Sequence, residues 1–599
     1  MWYLPILNQP VQFHSSRDPG TCNLTPEQCA YKSQYWVFWY EADLVYALPT
    51  VYFFVSAIAL FAIARFTSDY APERLTGSAA WRRSVSALRF LSYKSWRAGS
   101  WNSQPLGVFL LGAVGAVFLG ALTLGPRPYY WPTDAHYGNS PPIATRTGWL
   151  ALACVPFVLA LGAKANMVSA LTGVPPEQLN VWHNWISWAM FVLALIHTFP
   201  FIVFHNRAGD TAMVFRDGGV WLAGVIALVA QAWLTFMSIS WIRNRWYEFF
   251  KATHYFFAAA FLVFFFLHCS FRLTSWDYFI AMGAIYLASL SYAVGKTWFK
   301  YGIRHTARLR LETPDSLRIA VQTKSSWRPG QHVYLRFLTC GVHVLTSHPL
   351  TVCSLPGADA RGGELIFHVQ PRGGLTRRLA SLAKKQPDAG VKVLLEGPYG
   401  GLPMRWSKGF DRTLVVAGGS GCGLTLSLIE DWLRNRGASS GGDLKVVLAT
   451  RDPEMPIWYM EELQHMAERQ RGTNLADIPG LSIALYETHA SPAASPVTHS
   501  GFASSGDDDE KRQQQPRLRE DSNSTASLFS IKFFRGRPDT GSAVRELSLQ
   551  GPHGSVGVAV CGPSGMVHDV AAEAAAQQQR IVRGQSGASE VWFHKEAFS

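Results

Sequence analysis

Cysteine is scarce in this chain, which has eight among 599 residues, and none of the eight shows the spacing of a metal-binding cluster. The sequence therefore offers no cysteine-ligated zinc site. Acidic residues are fewer than basic ones, 41 against 54, which leaves a net charge of +13. Much of this positive charge flanks apolar segments, so we do not interpret it as a nucleic-acid-binding surface. The first residues, MWYLPILNQP, lack the basic start and long apolar run of a secretory signal.

Long apolar runs are absent from the second half of the chain and frequent in the first three hundred residues. Seven segments there approach the roughly 20 apolar residues that cross a bilayer. The sequence therefore predicts a membrane domain followed by a soluble half. The seven predicted segments lie near residues 46–66, 106–125, 147–164, 182–204, 219–240, 252–270 and 275–296.

Basic residues predict the orientation of these segments. They follow the first segment (from Arg74 to Arg97), the fifth (Arg243 and Arg245) and the seventh (from Lys296). By the positive-inside rule these loops are cytoplasmic, so the N-terminus lies outside and the C-terminal half inside. We expect the first segment to act as a signal-anchor. In the outside stretch CNLTPEQC, the sequence predicts a disulfide between the two cysteines and glycosylation at the N-L-T sequon.

Four histidines lie inside two of the predicted segments. HNWISWAMFVLALIH runs from His183 to His197, and HYFFAAAFLVFFFLH runs from His254 to His268. Fourteen residues at about 100° each make roughly 1400°, close to four full turns, so each pair shares one helix face about 21 Å apart. Both helices run from inside to outside. The pattern therefore places His183 level with His254 and His197 level with His268.

Facing imidazoles at two depths indicate two haem irons, each ligated on both sides, which makes an electron carrier. A single histidine in a membrane is often a core residue bonded to a neighbouring helix. Ionisable groups in a bilayer are nevertheless costly and usually functional. Four histidines in matched register favour the haem interpretation.

The soluble half contains two patterns. Short alternating strands broken by Gly, Pro and Asp follow Lys300 and suggest a small antiparallel barrel. After Pro403, RTLVVAGGSGCGLTLSLIEDWL predicts a buried strand, a Gly-rich turn and a helix. Such a turn lets a pyrophosphate approach the backbone at a helix N-terminus.

Several motifs occur in a specific order: GVPPEQLNVWHNW, PGQHVYL, SHPLTVCS, GGLTRRL, AGGSGCGLT, VCGPSGM and the ending FHKEAFS. Taken singly, each could be an ordinary turn. Together they resemble the fungal ferric reductase family, which is related to NADPH oxidases and ferredoxin–NADP reductases. The resemblance covers nearly everything from about Tyr46 onward, except one insertion. It implies a helical haem domain (46–298) after an extracellular segment (1–45), an FAD-binding β-barrel domain (303–405) and an NADPH-binding α/β domain (411–599).

The resemblance also implies roles for particular residues. The flavin motif has Leu350 in place of the aromatic residue usual in the family. Phe598 is the candidate for an aromatic residue stacked on the flavin, with an exposed terminal residue as the alternative. The flavin-side residues are His348, Pro349, Leu350, Thr351, Gly374 and Thr376, and the nucleotide-side residues are Gly418, Gly419, Ser420, Gly421, Gly423, Cys561 and Gly562. The resemblance places Cys561 and Gly562 near the hydride-transfer position, which makes Cys561, with Phe598, a catalytic candidate.

The end of the second strand of the nucleotide domain predicts the choice of nucleotide. A carboxylate there would hold the ribose diol of NAD, whereas an Arg suits the 2′-phosphate of NADPH. VVLATRD places Arg451 at this point, and FFRGRPD adds Arg537. These residues favour NADPH, although an ion pair between Arg451 and Asp452 is an alternative.

Residues 489–525 are rich in Ser, Pro, Gln and charge and have almost no aliphatic side chains. Such a composition cannot bury enough apolar surface to fold. We expect a disordered insertion in the nucleotide-binding domain.

The resemblance implies an NADPH-dependent ferric-chelate reductase of the plasma membrane that uses FAD and two b-type haems. The acceptors would be ferric or cupric chelates, and an iron permease or ferroxidase system would be the partner. Three alternatives remain open from the sequence: an oxidase that makes superoxide, a haem-binding protein without enzymatic activity, and residence in the vacuolar membrane.

Overall fold

The structure is a computed structural model. It describes residues 41–596, apart from 100, 131–140, 218, 339–345, 358–361, 403, 408, 436–441, 489–529 and 552, together with residues 26 and 29. The predicted sequon, the predicted insertion and Phe598 lie outside the described residues. Cys29 is disulfide-bonded, and its predicted partner Cys22 also lies outside them.

Helices dominate the described residues up to Tyr301. Among the described residues, seven of these helices are long and apolar enough to cross a membrane, and they begin at Asp43, Leu106, Pro142, Pro176, Gly219, Tyr247 and Ser275. The seven predicted segments are therefore confirmed. The helices are α1 (Asp43–Tyr70), α2 (Glu73–Thr76), α3 (Ala79–Tyr93), α4 (Leu106–Leu124), α5 (Pro142–Gly162), α6 (Met167–Thr172), α7 (Pro176–Ala208), α8 (Thr211–Asp217), α9 (Gly219–Met237), α10 (Ser240–Arg245), α11 (Tyr247–Cys269) and α12 (Ser275–Tyr301).

Helix α5 is the buried centre of the membrane unit. In the apolar stretch that would cross the membrane, 72% of the residues of α5 are buried, against 28% or less in each of the other six spans. It packs along α7, and α9 packs along α11 in the same way. Its Arg146 is fully buried, and the guanidinium donates from Nε to the carbonyl oxygen of Thr123 at 2.8 Å. A cation at this depth needs such a partner because lipid offers none.

The first part of the soluble half is an antiparallel six-stranded sheet with the order β6-β5-β8-β3-β4-β7. Alternate apolar side chains fill its core together with one face of helix α13 (Gly374–Lys385). The strands are β3 (His305–Thr313), β4 (Ser316–Thr323), β5 (Gln331–Phe337), β6 (His348–Thr351), β7 (Gly363–Val369) and β8 (Ala389–Gly400), and the earlier strands β1 (Arg97–Ala98) and β2 (Trp101–Asn102) form a separate hairpin.

The second part is a parallel six-stranded sheet with the order β12-β11-β10-β9-β13-β14. Buried runs such as Leu414–Ala417 are typical of strands covered on both faces. The strands are β9 (Arg412–Gly418), β10 (Asp443–Thr450), β11 (Leu481–Glu487), β12 (Ser530–Arg535), β13 (Gly554–Cys561) and β14 (Ala588–Glu596), and the helices are α14 (Met404–Ser407), α15 (Cys422–Asn435), α16 (Met455–Arg471), α17 (Thr540–Leu549) and α18 (Ser564–Val582).

Helix α3, in the loop between the first two spans, packs against this parallel-sheet domain along α18. The guanidinium of Arg89 lies 2.8 Å from Glu590 on β14, which also pairs with Arg405 at 2.6 Å. The Tyr93 hydroxyl accepts a hydrogen bond from the Phe593 backbone N–H at 3.2 Å. Although burial opposes it, the two guanidiniums hold the pKa of Glu590 below its usual value. Arg89 belongs to the basic loop that predicts the orientation of the first span, and it therefore also forms an ion pair within the reductase module.

The described residues fall into two compact units, 1–71 with 109–294 and 72–108 with 295–599. The predicted fold class is confirmed, with a helical membrane part and a reductase module of an antiparallel and a parallel sheet. The predicted haem domain of 46–298 included residues 72–108. The structure groups this segment with the reductase module because α3 packs along α18 there.

Candidate functional site

The predicted histidine ligands meet in two pairs within the membrane unit. The ring centres of His183 and His254 are 6.3 Å apart, and those of His197 and His268 are 5.8 Å apart. Two of the four rings come from α7 and two from α11. The pairing is the one that the fourteen-residue spacing predicts, because both helices repeat at the same pitch.

A cavity of about 560 Å³ surrounds the pair formed by His197 and His268. Its walls are mostly apolar, and a few polar groups, among them Gln231 and Arg272, also line it. The Gln231 side-chain nitrogen is buried and has no hydrogen-bond partner among the described residues. Large apolar cavities with a few polar groups are typical of cofactor sites.

In the reductase module, the predicted nucleotide residues meet where the strand order reverses. Strands β10 to β12 extend to one side of β9, whereas β13 and β14 lie on the other. Ligands of such sheets bind at the carboxyl ends of the strands beside this switch point. The Gly418–Gly423 turn follows β9, and Cys561 ends β13, so both lie at this point.

Two glycines of the turn allow close packing. A Cβ at Gly421 would overlap the carbonyl oxygen of Cys561 and lie 3.1 Å from its sulfur. A Cβ at Gly423 would overlap the sulfur of Cys353, which follows the flavin motif of β6. The structure thus brings the flavin-side and nucleotide-side motifs together at the Gly-rich turn.

Three buried thiols lie at this junction. Burial raises the pKa of Cys353 to about 12, and that of Cys422 well above its usual value. Burial, and then the nearby carboxylate of Glu596, raise the pKa of Cys561 as well. A neutral thiol is a poor nucleophile. Cys561 therefore suits contact with a nicotinamide ring and does not suit covalent catalysis.

The predicted flavin residues occupy two places in the antiparallel sheet. His348–Thr351 form β6, while Gly374 and Thr376 lie in the first turn of α13. The Thr376 hydroxyl donates to the Gly373 carbonyl oxygen at 2.9 Å, which orders this turn. A helix N-terminus of this kind suits a pyrophosphate group.

Sequence reasoning missed Glu596. Its carboxylate accepts a hydrogen bond from the Thr351 hydroxyl at 3.3 Å, and it pairs in register with Cys561. The ending FHKEAFS contains this residue, but the family resemblance assigns a role in this ending only to the aromatic Phe598.

Arg451 and Arg537 are exposed and follow β10 and β12. Among the described residues, no ion pair joins Arg451 to Asp452, so the alternative pairing does not form. Asp452 instead accepts hydrogen bonds from the Thr313 hydroxyl at 2.6 Å and from the Glu454 backbone N–H at 3.0 Å. Because β11 separates the two strands, β12, which precedes Arg537, lies farther from β9 in the sheet than β10, which precedes Arg451.

Three family models match the chain: a ferric reductase like transmembrane component over residues 147–265, an FAD-binding domain over 302–402 and a ferric reductase NAD binding domain over 410–575. Together they span both units of the structure.

Similar curated proteins carry ferric reductase names. The "probable cell surface ferric reductase kap2" of Aspergillus oryzae is 33% identical over 60% of this chain and 50% of its own length. The Saccharomyces cerevisiae ferric/cupric reductase transmembrane component 7 is 26% identical over 55% of this chain and 52% of its own. The Candida albicans ferric/cupric reductase transmembrane component 1 is 25% identical over 74% and 56%. The chain thus spans about half the length of these relatives.

Among solved structures, a ferredoxin NADP⁺ reductase from Neisseria gonorrhoeae matches 48% of this chain and 97% of its own, at 13% identity and a TM-score of 0.30. The strand order of its two sheets defines the fold of the reductase module.

Proposed function

The chain belongs to the fungal ferric reductase family, and from this premise we propose that it carries electrons from cytosolic NADPH across the membrane to an extracellular ferric chelate. It is an oxidoreductase with FAD-binding and NAD-binding domains. The observation that carries the proposal is the meeting of four histidines in two pairs inside the membrane unit. A cupric chelate is a second acceptor that the same path would serve.

The histidine pairs fit two b-type haems. Two imidazoles on opposite sides of one metal ion, with metal–nitrogen bonds of about 2 Å, have ring centres roughly 6 Å apart. The two observed separations, 6.3 and 5.8 Å, agree with this value. In three of the four positions a helix glycine also leaves room for the imidazole ring. His183 and His254 would hold the inner haem, and His197 and His268 the outer one.

The reductase module supplies binding and orientation. The bound nicotinamide, flavin and haems contribute the redox chemistry, a hydride transfer followed by one-electron steps. The Gly-rich turn and the buried Cys561 shape a dry surface for the nicotinamide, beside Thr351 of the flavin motif. The first turn of α13 would offer its backbone N–H groups to the FAD pyrophosphate.

Two measurements test this function. Purified protein reduced with dithionite should show b-type haem bands in its difference spectrum. Cells that express the protein should reduce an extracellular ferric chelate at a rate that superoxide dismutase does not suppress. A protein without haem bands would rule out the electron path, and strong suppression by dismutase would show that superoxide is the product.

The position of Arg451 supports NADPH over NADH. We expect Arg451→Ala to raise the KM for NADPH about 10- to 150-fold and to leave the KM for NADH almost unchanged. The reason is the loss of a charged hydrogen bond to the 2′-phosphate, which is worth about 1.5–3 kcal/mol. Steady-state reduction of a soluble dye by the purified protein measures both constants.

Arg471→Ala is the matched control, since Arg471 is an exposed arginine at the end of α16 in the same domain. It should change neither constant. An equal rise in both KM values for Arg451→Ala would refute the assignment of the phosphate contact.

A further inference from the structure

Three of the four paired histidines are anchored in the same way. In each, the Nδ1–H donates to a backbone carbonyl oxygen of the neighbouring helix. His183 donates to Val158 at 2.8 Å, His197 to Ala144 at 2.7 Å and His268 to Val220 at 2.8 Å. Such a bond fixes the ring and makes the other nitrogen, Nε2, a more basic ligand.

A glycine accompanies each of these carbonyls, four residues farther along the same helix. A Cβ at Gly162 would lie 3.0 Å from the His183 ring, one at Gly148 would lie 2.7 Å from His197, and one at Gly224 would lie 2.6 Å from His268. Side chains on a helix point toward its N-terminus, so a residue four positions later stands over the carbonyl. The missing side chain therefore leaves the carbonyl open to the imidazole.

The anchors repeat with the same spacing as the histidines. On α5, Ala144 and Val158 are fourteen residues apart, and so are Gly148 and Gly162. Helices α5 and α7 run in opposite directions. His183, fourteen residues before His197 on α7, therefore meets Val158, which lies fourteen residues after Ala144 on α5. The same rule on α9 and α11 predicts the carbonyl of Leu234 as the anchor for His254. It predicts a glycine at position 238.

Position 238 is a serine. The Ser238 hydroxyl donates to the Leu234 carbonyl oxygen at 2.5 Å, which is the acceptor that His254 would use. The Nδ1 atom of His254 is buried and has no hydrogen-bond partner among the described residues. The fourth histidine thus differs from the other three at the position where serine replaces glycine.

We propose that Ser238 is a positioning residue that withholds the Leu234 carbonyl from His254 and thereby raises the reduction potential of the inner haem. An imidazole without the Nδ1–H bond is a less basic ligand, and a less basic ligand stabilises ferric iron less. This inference rests on the proposed function, because it requires a haem between His183 and His254. It explains how two pairs of identical ligands can hold irons of different potential.

The test is a potentiometric titration of the haem bands in purified full-length protein. Ser238→Gly should free the Leu234 carbonyl for His254 and lower the midpoint potential of one of two one-electron couples. A roughly tenfold change in the ferric–ferrous equilibrium corresponds to about 59 mV. Ser238→Thr, which keeps the hydroxyl, should retain both wild-type potentials.

The outcomes separate this inference from the proposed function. Wild-type protein without haem bands would refute the function and the inference together. Normal haem bands with unchanged potentials in Ser238→Gly would refute the inference alone. An equal shift of both couples would also overturn it, because a local hydrogen bond acts on one haem only.

Discussion

Substitution of His197 by alanine should abolish reduction of extracellular ferric chelate while leaving NADPH-driven reduction of soluble dyes nearly intact. His197 and His268 form one facing pair, and iron ligated from both sides requires both imidazoles. Dyes can take electrons directly from the flavin, upstream of the lesion. Whole-cell ferric reduction and dye reduction by purified protein measure the two activities, and the reduced difference spectrum should lose about half its haem signal.

Val192→Ala is the control for this experiment, since Val192 lies on the same helix with 48% of its surface exposed. It should keep both activities and the full haem signal. Persistent ferric reduction by the His197→Ala protein would show that electrons leave by another path and that the two-haem assignment is wrong.

The second large effect is expected at the Gly-rich turn. Gly421→Val should slow NADPH oxidation about 5- to 150-fold, because its Cβ would overlap the backbone of Cys561. Inserting carbon atoms into a packed interior costs about 1–3 kcal/mol, which corresponds to about 5- to 150-fold. Stopped-flow reduction of the flavin by NADPH measures the step directly.

Haem content should remain unchanged in Gly421→Val, since Gly421 and the paired histidines belong to different units of the structure. Gly541→Ala is the matched glycine control. Its Cβ would lie 3.6 Å from Asp539, an ordinary contact distance, so it should oxidise NADPH like the wild type. Normal flavin reduction by Gly421→Val would contradict the close packing at the turn.

Local periodicity explains which parts of the site could be predicted. The two histidine pairs follow from helix pitch and from the parallel direction of two segments, both of which the sequence encodes. The Gly-rich turn is equally local, since strand, turn and helix are consecutive.

Contacts between distant parts of the chain could not be predicted in this way. Glu596 reaches Thr351 only because β14 pairs with β13, and no local pattern specifies that pairing. Asp452 follows Arg451 in the sequence, which suggested an ion pair, yet Thr313 from the antiparallel sheet binds the carboxylate instead. The carbonyl anchors were missed because they depend on which helices are neighbours.

The packing of α3 gives the chain an unusual connectivity. The sequence enters the reductase module once through residues 72–108, returns to the membrane helices, and enters the module again after α12. A single proteolytic nick between α12 and β3 would therefore not free the module by diffusion. The two fragments would remain associated through the non-covalent packing of α3 along α18 and the ion pair of Arg89 with Glu590.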